Sequence, residues 1–164
     1  MSKQPTIVVT GAAGFIGAVF VQFLNEQGLD QLLLVDDFGV ESKRTNWENK
    51  KFIKAIERQA FLTQLEEQEY EIDLMVHLGA RTDTTEFNYA IHEALNVEYS
   101  KALWNYATAK KIPLIFTILC RGLMRFPVRG IFLFLTPDQT TTSPDRCIAL
   151  STASVRFLPS PMAR

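Results

Sequence analysis

One octapeptide constrains this chain more than any other feature: residues 10–17 read TGAAGFIG, with glycines at 11, 14 and 17. The residues before it, 6–10 (TIVVT), form a largely apolar run of the kind that becomes a parallel strand covered on both faces. After it, Phe15, Val19, Phe20, Phe23 and Leu24 recur at helical spacing, and Gly28 marks a stop. A glycine turn between strand and helix has a specific physical use. Gly11 permits the tight turn, Gly14 lets backbone approach a pyrophosphate, and Gly17 lets the helix pack closely on its strand. The free N–H groups and dipole of the helix N-terminus then favour the phosphate charge. Asp36 and Asp37 close the next apolar run about 20 residues on, where a carboxylate can accept from an adenosine ribose hydroxyl.

The rest of the chain falls into two regimes. Through residue 117, short β-rich runs at 31–36, 51–56, 72–78 and 112–117 alternate with helical patterns at 15–27, 59–70 and 89–110. The second pattern puts Phe61, Leu62 and Leu65 on one face; the third carries Ile91, Leu95, Leu103 and Trp104. Such alternation predicts right-handed β-α-β crossovers, hence the α/β class with a doubly wound parallel sheet of the Rossmann type over residues 1–117. From 118 to 164 the periodicity fails: five prolines fall there, and lysine and glutamate are absent. Residues 131–135 (IFLFL) read as a strand with no neighbour. The expected sheet is therefore incomplete and followed by an irregular C-terminal tail, 118–164.

Composition narrows the function. A net charge of -1 argues against nucleic acid or an anionic membrane as partner. No apolar run approaches the roughly 20 residues needed to cross a bilayer. The polar start of the chain leads straight into the first strand without a signal-peptide layout, which reads as cytoplasmic. Cys120 and Cys147 lack metal-ligand spacing, so no metal site is expected.

The G-x-x-G-x-x-G spacing of TGAAGFIG resembles the extended short-chain dehydrogenase/reductases. Residues 77–86 (HLGARTDTTE), with VDDF at 35–38, LNVEYSKALW at 95–104 and IPLIF at 112–116, are similar to the ADP-heptose 6-epimerases of the NAD-dependent epimerase/dehydratase family. The resemblance spans residues 5–117. It implies cofactor contacts from Gly11, Gly14, Phe15, Ile16 and Gly17. Asp36, Asp37 and Lys43 would surround the adenosine ribose, and Leu78, Gly79, Ala80, Arg81 and Thr82 would line the pyrophosphate and nicotinamide side. Asn96 would support the cofactor-side architecture, and Thr84, Thr85 and Glu86 could approach a sugar. The implied cofactor is NADP or NAD. A carboxylate at Asp36 suits the unmodified ribose of NAD; the resembled epimerases favour NADP, whose 2′-phosphate Lys43, Arg44 or Arg58 could neutralise. A nucleotide-sugar substrate is implied, and a homo-oligomer is compatible.

Catalysis in the resembled superfamily uses a Ser or Thr after the fifth strand and a Tyr-x-x-x-Lys on the next helix, the tyrosine exchanging a proton with the substrate hydroxyl. Neither stands where it is due. The family pattern resembles Y-A-S-S-A-A-T-Y-G, whereas residues 118–124 read ILCRGLM. Residues 118–121 can be spelled ATC CTC TGC CGC. One base later, with the following G, this reads Ser-Ser-Ala-Ala, so a reading-frame slip is one origin of the break; truncation and divergence are others. Tyr106 and Lys110 (YATAK) match the pattern literally, but on the helix before the fifth strand. We therefore assign no catalytic residue. The two functional readings are an epimerase-family member inactive as this chain, and a dinucleotide-binding or interaction module without catalysis. His77, ending an apolar strand, reads as a packed or backbone-bonded histidine.

Overall fold

The computed structural model describes residues 3–68, 70–80, 88–118 and 132–135. The strands are β1 (Ile7–Thr10), β2 (Leu32–Asp36), β3 (Lys54–Glu57), β4 (Leu74–His77), β5 (Leu114–Ile118) and β6 (Phe132–Leu135). The helices are α1 (Phe15–Glu26), α2 (Arg44–Trp47), α3 (Arg58–Glu67), α4 (Tyr89–His92) and α5 (Tyr99–Lys110). A 3-10 turn, Glu41–Lys43, precedes α2, and a π-helical stretch, Glu93–Glu98, joins α4 to α5.

The strands form one sheet in the order β3-β2-β1-β4-β5-β6. β1 to β5 are mutually parallel, and β6 lies antiparallel to β5. The doubly wound α/β sheet expected from the alternation is thus present. The strand-like run at 131–135 is not isolated, as expected, but pairs with β5 through residues 132–135. Without it, β5 would present an unpaired edge of backbone donors and acceptors.

Alternate residues of β1, β2 and β4 feed two cores. Val8, Leu33, Val35, Ile56, Met75 and Leu114 pack beneath α3 and α5, against Phe61, Leu65, Leu103 and Ala107. Ile7, Val9, Leu32, Leu34 and Val76 pack beneath α1, against Val21 and Leu24. Burial on both faces explains why these strands read as continuous apolar runs.

Helix α1 departs from the face its spacing suggested. Phe15, Val19 and Phe23 are exposed, while Gly17, Ala18, Val21 and Leu24 are buried. The cause is the close approach of α1 to its strand: a Cβ at Gly17 would lie 2.0 Å from the Gly11 carbonyl oxygen. At that separation only small residues and one aliphatic row fit beneath the helix. Gly28 ends α1 at φ +76°, as its position suggested. The helix expected over 89–110 is interrupted by the π-helical stretch, whose wider turn shifts the phase of the residues after it.

Candidate functional site

Between β1 and β4 the sheet changes winding direction: β2 and β3 extend to one side, β5 to the other. In open α/β sheets the crevice outside the carboxyl ends at such a switch point receives ligands. Here the two strand ends are almost in contact. A Cβ on Gly11 would sit 2.5 Å from the Gly79 backbone nitrogen, and Gly11 has φ +74°, so glycine is required there twice over. Gly14 is different. A Cβ would meet only the Gly11 carbonyl oxygen, at 3.2 Å, leaving the other side open. Gly14 is also the N-cap of α1 and provides no side chain to the first-turn amides, and that turn holds no acidic residue. An uncapped helix start of this kind offers its N–H groups and dipole to an anion.

Asp36 organises the neighbouring corner. It is buried; its Oδ2 accepts from the Ala13 backbone N–H at 2.9 Å. Its Oδ1 accepts from the Asp37 N–H at 2.7 Å and from Lys43 Nζ at 3.2 Å. Asn46 donates from Nδ2 to the Ala13 carbonyl at 2.9 Å, so both polar groups of that peptide region are held. Arg58 stands 4.0 Å from the Asp37 carboxylate.

A cleft of about 110 Å³ opens at this switch point. Gly11, Gly14, Asp36, Lys43, Leu78, Gly79 and Ala80 line it, together with Thr10, Val35, Arg58, Leu95 and Tyr99. Eight of the residues singled out from sequence for the cofactor, Arg58 among them, therefore meet at one place. Phe15, Ile16, Gly17, Asp37 and Asn96 are not in its lining: Phe15 and Ile16 start α1 with exposed side chains, and Gly17 sits beneath the helix. Arg81, Thr82, Thr84, Thr85, Glu86, Cys120 and Cys147 lie outside the described residues. Tyr106 and Lys110 do not line the cleft; Tyr106 packs against the core under α5, about 10 Å along the helix from Tyr99.

His77 is buried at the end of β4, as its context suggested, though side chains rather than backbone hold it. Ser100 Oγ donates to the Asn96 carbonyl at 2.7 Å, so it accepts from His77 Nε2–H at 2.8 Å. His77 Nδ1 then accepts from the Thr10 hydroxyl at 2.5 Å. The chain of bonds fixes one neutral tautomer and ties β1, β4 and α5 together behind the cleft. Burial lowers the His77 pKa to about 4.

Sequence reasoning missed Asn46 and Tyr99. Asn46 sits in a short polar helix without a motif. Tyr99 stood in the family-like stretch LNVEYSKALW but nothing in its spacing marked it. Its ring lies 6.0 Å from that of His77, and its buried hydroxyl has no hydrogen-bond partner among the described residues. The same holds for Arg58 Nε. Among the described residues, no three His, Cys, Asp or Glu side chains gather to hold a metal, and no helix is long and apolar enough to cross a membrane.

The model of the NAD dependent epimerase/dehydratase family matches residues 7–119, ending beside the point where the sequence regime changes. An ADP-L-glycero-D-manno-heptose-6-epimerase of Fusobacterium nucleatum is 35% identical over 112 residues, 67% of this chain and 34% of that protein. The match thus spans about a third of that relative's length. The crystal structure of ADP-L-glycero-D-manno-heptose-6-epimerase from Helicobacter pylori superposes with a TM-score of 0.60 at 24% identity, covering 69% of this chain and 38% of that one. UDP-glucuronic acid 4-epimerase from Bacillus cereus, solved in complex with NAD, gives a TM-score of 0.52 at 24% identity, covering 67% and 38%.

Proposed function

This chain belongs to the NAD dependent epimerase/dehydratase family, and from that premise we propose that it forms the dinucleotide-binding part of a nucleotide-sugar epimerase of the ADP-heptose 6-epimerase kind. The observation that carries the reading is the meeting of the uncapped α1 N-terminus, the Gly11–Gly79 contact and the Asp36 carboxylate at one cleft. Each suits one portion of a dinucleotide. The pyrophosphate takes the helix start beside Gly14. A ribose hydroxyl donates to Asp36, whose Oδ2 keeps one acceptor position after the Ala13 bond. The nicotinamide half extends past Gly79 and Ala80. Phe15, Ile16 and Gly17 contribute through the backbone of the first turn, and Asp37 and Asn96 by holding Arg58 and Ser100.

A bound nicotinamide dinucleotide would take hydride from the sugar and return it to the opposite face. The chain's own part is to bind and orient: the glycines keep side chains out of the phosphate path, and the His77 network fixes the strand ends. Of the charged residues lining the cleft, two are cations, Lys43 and Arg58, against one carboxylate, Asp36. That imbalance favours the extra phosphate of NADP over NAD.

Titration calorimetry of the chain with NAD and NADP tests the reading. Binding of both is expected, tighter for NADP, and Gly14→Val is expected to abolish it by placing a branched side chain in the phosphate path. Absence of binding, or equal affinity in Gly14→Val, overturns the proposal.

A further inference from the structure

Half of the large apolar side chains exposed among the described residues stand on one helix, α1: Phe15 at 84%, Ile16 at 50%, Val19 at 58% and Phe23 at 53%. Hydrogen bonds anchor one flank of that helix. Asn25 exchanges hydrogen bonds with the Lys51 backbone, and Lys50 Nζ donates to Gln22 Oε1 at 2.6 Å, so this flank faces the segment leading into β3. At 3.6 residues per turn, Ile16, Phe20 and Phe23 take the opposite flank, toward β4 and β5. There the Phe20 and Phe23 rings stack at 6.5 Å, and Leu74 of β4 and Ile115 of β5 are only partly buried. Among the described helices, α1 and α2 contribute to the core on this face, whereas α3 and α5 cover the other. An apolar trough therefore runs beside α1, over β4 and β5, with no described helix in it.

We propose that this face is a self-association surface, on which α1 of a second copy of the chain packs across a twofold axis. Phe15, Val19 and Phe23 recur every four residues, the ridge spacing with which one helix seats in the grooves of another. An isologous pair sets each ridge against the other copy's trough, so one surface supplies both halves of the contact. With side chains of about 150–200 Å² each, the four exposures leave roughly 400 Å² of apolar surface per copy. Two such patches with their trough walls approach the about 1,200 Å² at which stable interfaces begin, so a reversible dimer is expected. Other occupants fit less well. The α1 sequence, FIGAVFVQFLNE, holds no Lys or Arg to meet anionic lipid headgroups. Residues 118–164 show no helical period from which to build an amphipathic helix of the chain's own.

Val19 stands at the middle of the ridge, nearest the axis. The full 164-residue chain would be followed by sedimentation equilibrium over a wide range of concentration, and a monomer–dimer equilibrium is expected. Val19→Glu should weaken the dimer about a hundredfold or more, because a carboxylate without a partner would be buried at the contact. Parent and variant should unfold at the same temperature when dilute, since Val19 is exposed in the single copy. With Cys120→Ser and Cys147→Ser in place, Val19→Cys should cross-link to its mate on mild oxidation, whereas Gln22→Cys, on the anchored flank, should not. A parent that sediments as a monomer at every concentration overturns the proposal. So does a dimer that Val19→Glu leaves intact, or a Gln22→Cys that cross-links as readily as Val19→Cys. A monomer whose Val19→Cys thiol resists a soluble thiol reagent overturns it too, by placing the chain's own residues over α1.

Discussion

The Ala13 backbone N–H donates to the Asp36 carboxylate at 2.9 Å, so the residue placed to meet a ribose also holds the glycine turn in shape. The bond links the end of β2 to the turn after β1, and Lys43 completes the carboxylate's shell at 3.2 Å. Removing the carboxylate therefore acts on loop and ligand together. Asp36→Ala is expected to destabilise the chain by about 2 kcal/mol, the scale of a charge-assisted hydrogen bond lost from a buried N–H. It should also weaken NAD about tenfold or more. Urea denaturation and titration calorimetry on the same preparation check both effects.

Gly14 and Gly17 belong to one motif but should fail differently. An alanine Cβ at 17 would meet the Gly11 carbonyl oxygen at 2.0 Å, and backbone must shift to admit it. Gly17→Ala is expected to cost about 3 kcal/mol, the upper end of overpacking penalties. At 14 the nearest atom is 3.2 Å away, so Gly14→Ala should keep most of the stability and lose ligand affinity instead. Equal melting temperatures for the two variants would contradict this division.

His77 gives the chain a defined acid sensitivity. Its pKa falls from 6.5 to about 4 because burial disfavours the charged ring. A depressed folded-state value means that the neutral ring's contribution is complete above pH 6.5 and is lost as pH falls toward 4. The whole of that loss is about 3 kcal/mol at 1.36 kcal/mol per pH unit. Unfolding free energies measured from pH 7 to pH 4 should therefore fall more steeply in the parent than in His77→Gln. Parallel curves would mean that the buried ring ionises without penalty.

Lys111 ends α5 in the left-handed region, at φ 57°, where its N–H bonds the Thr108 carbonyl at 3.2 Å. An L side chain is strained there by roughly 1–2 kcal/mol. Glycine relieves the strain but adds entropy to the unfolded chain, so Lys111→Gly is expected to stabilise by about 0.5 kcal/mol. The urea midpoint reports it.

Much of this fold was legible because β1, β2 and β4 are buried on both faces and so spell continuous apolar runs. The glycine spacing was legible for a related reason: contacts at Gly11 and Gly17 leave no room for any other residue. What escaped depended on partners distant in sequence. The outward turn of Phe15, Val19 and Phe23 follows from how close α1 lies to β1, which periodicity does not report. Asn46 acquires its role only because the loop after β2 folds back over Ala13, 33 positions earlier. Tyr99 follows the π-helical stretch, and β6, legible as a strand-like run, gave no sign in its own residues that it pairs with β5.

Tyr106 and Lys110 supply the last prediction: this chain should show no epimerase turnover, and Tyr106→Phe should change nothing at the cleft. Taking hydride from a secondary alcohol requires a base within hydrogen-bond reach of its proton. The resembled enzymes use the tyrosine of a Tyr-x-x-x-Lys after the fifth strand, and no tyrosine follows Tyr106 in this sequence. Tyr106 lies on α5, whose N-terminal residue Tyr99 faces the cleft; two helical turns carry Tyr106 about 10 Å toward the other end of the sheet. There it packs, partly buried, against the core cluster that contains Leu103 and Ala107. A base at that distance cannot act without rearranging the helix, and misplaced groups forfeit several kcal/mol of orientation. The chain would be incubated with ADP-D-glycero-D-manno-heptose and NADP, and inversion at C6 followed by proton NMR. No inversion is expected in the parent, and equal NADP affinity in parent and Tyr106→Phe. Inversion that disappears in Tyr106→Phe would instead make this tyrosine the proton-transfer group.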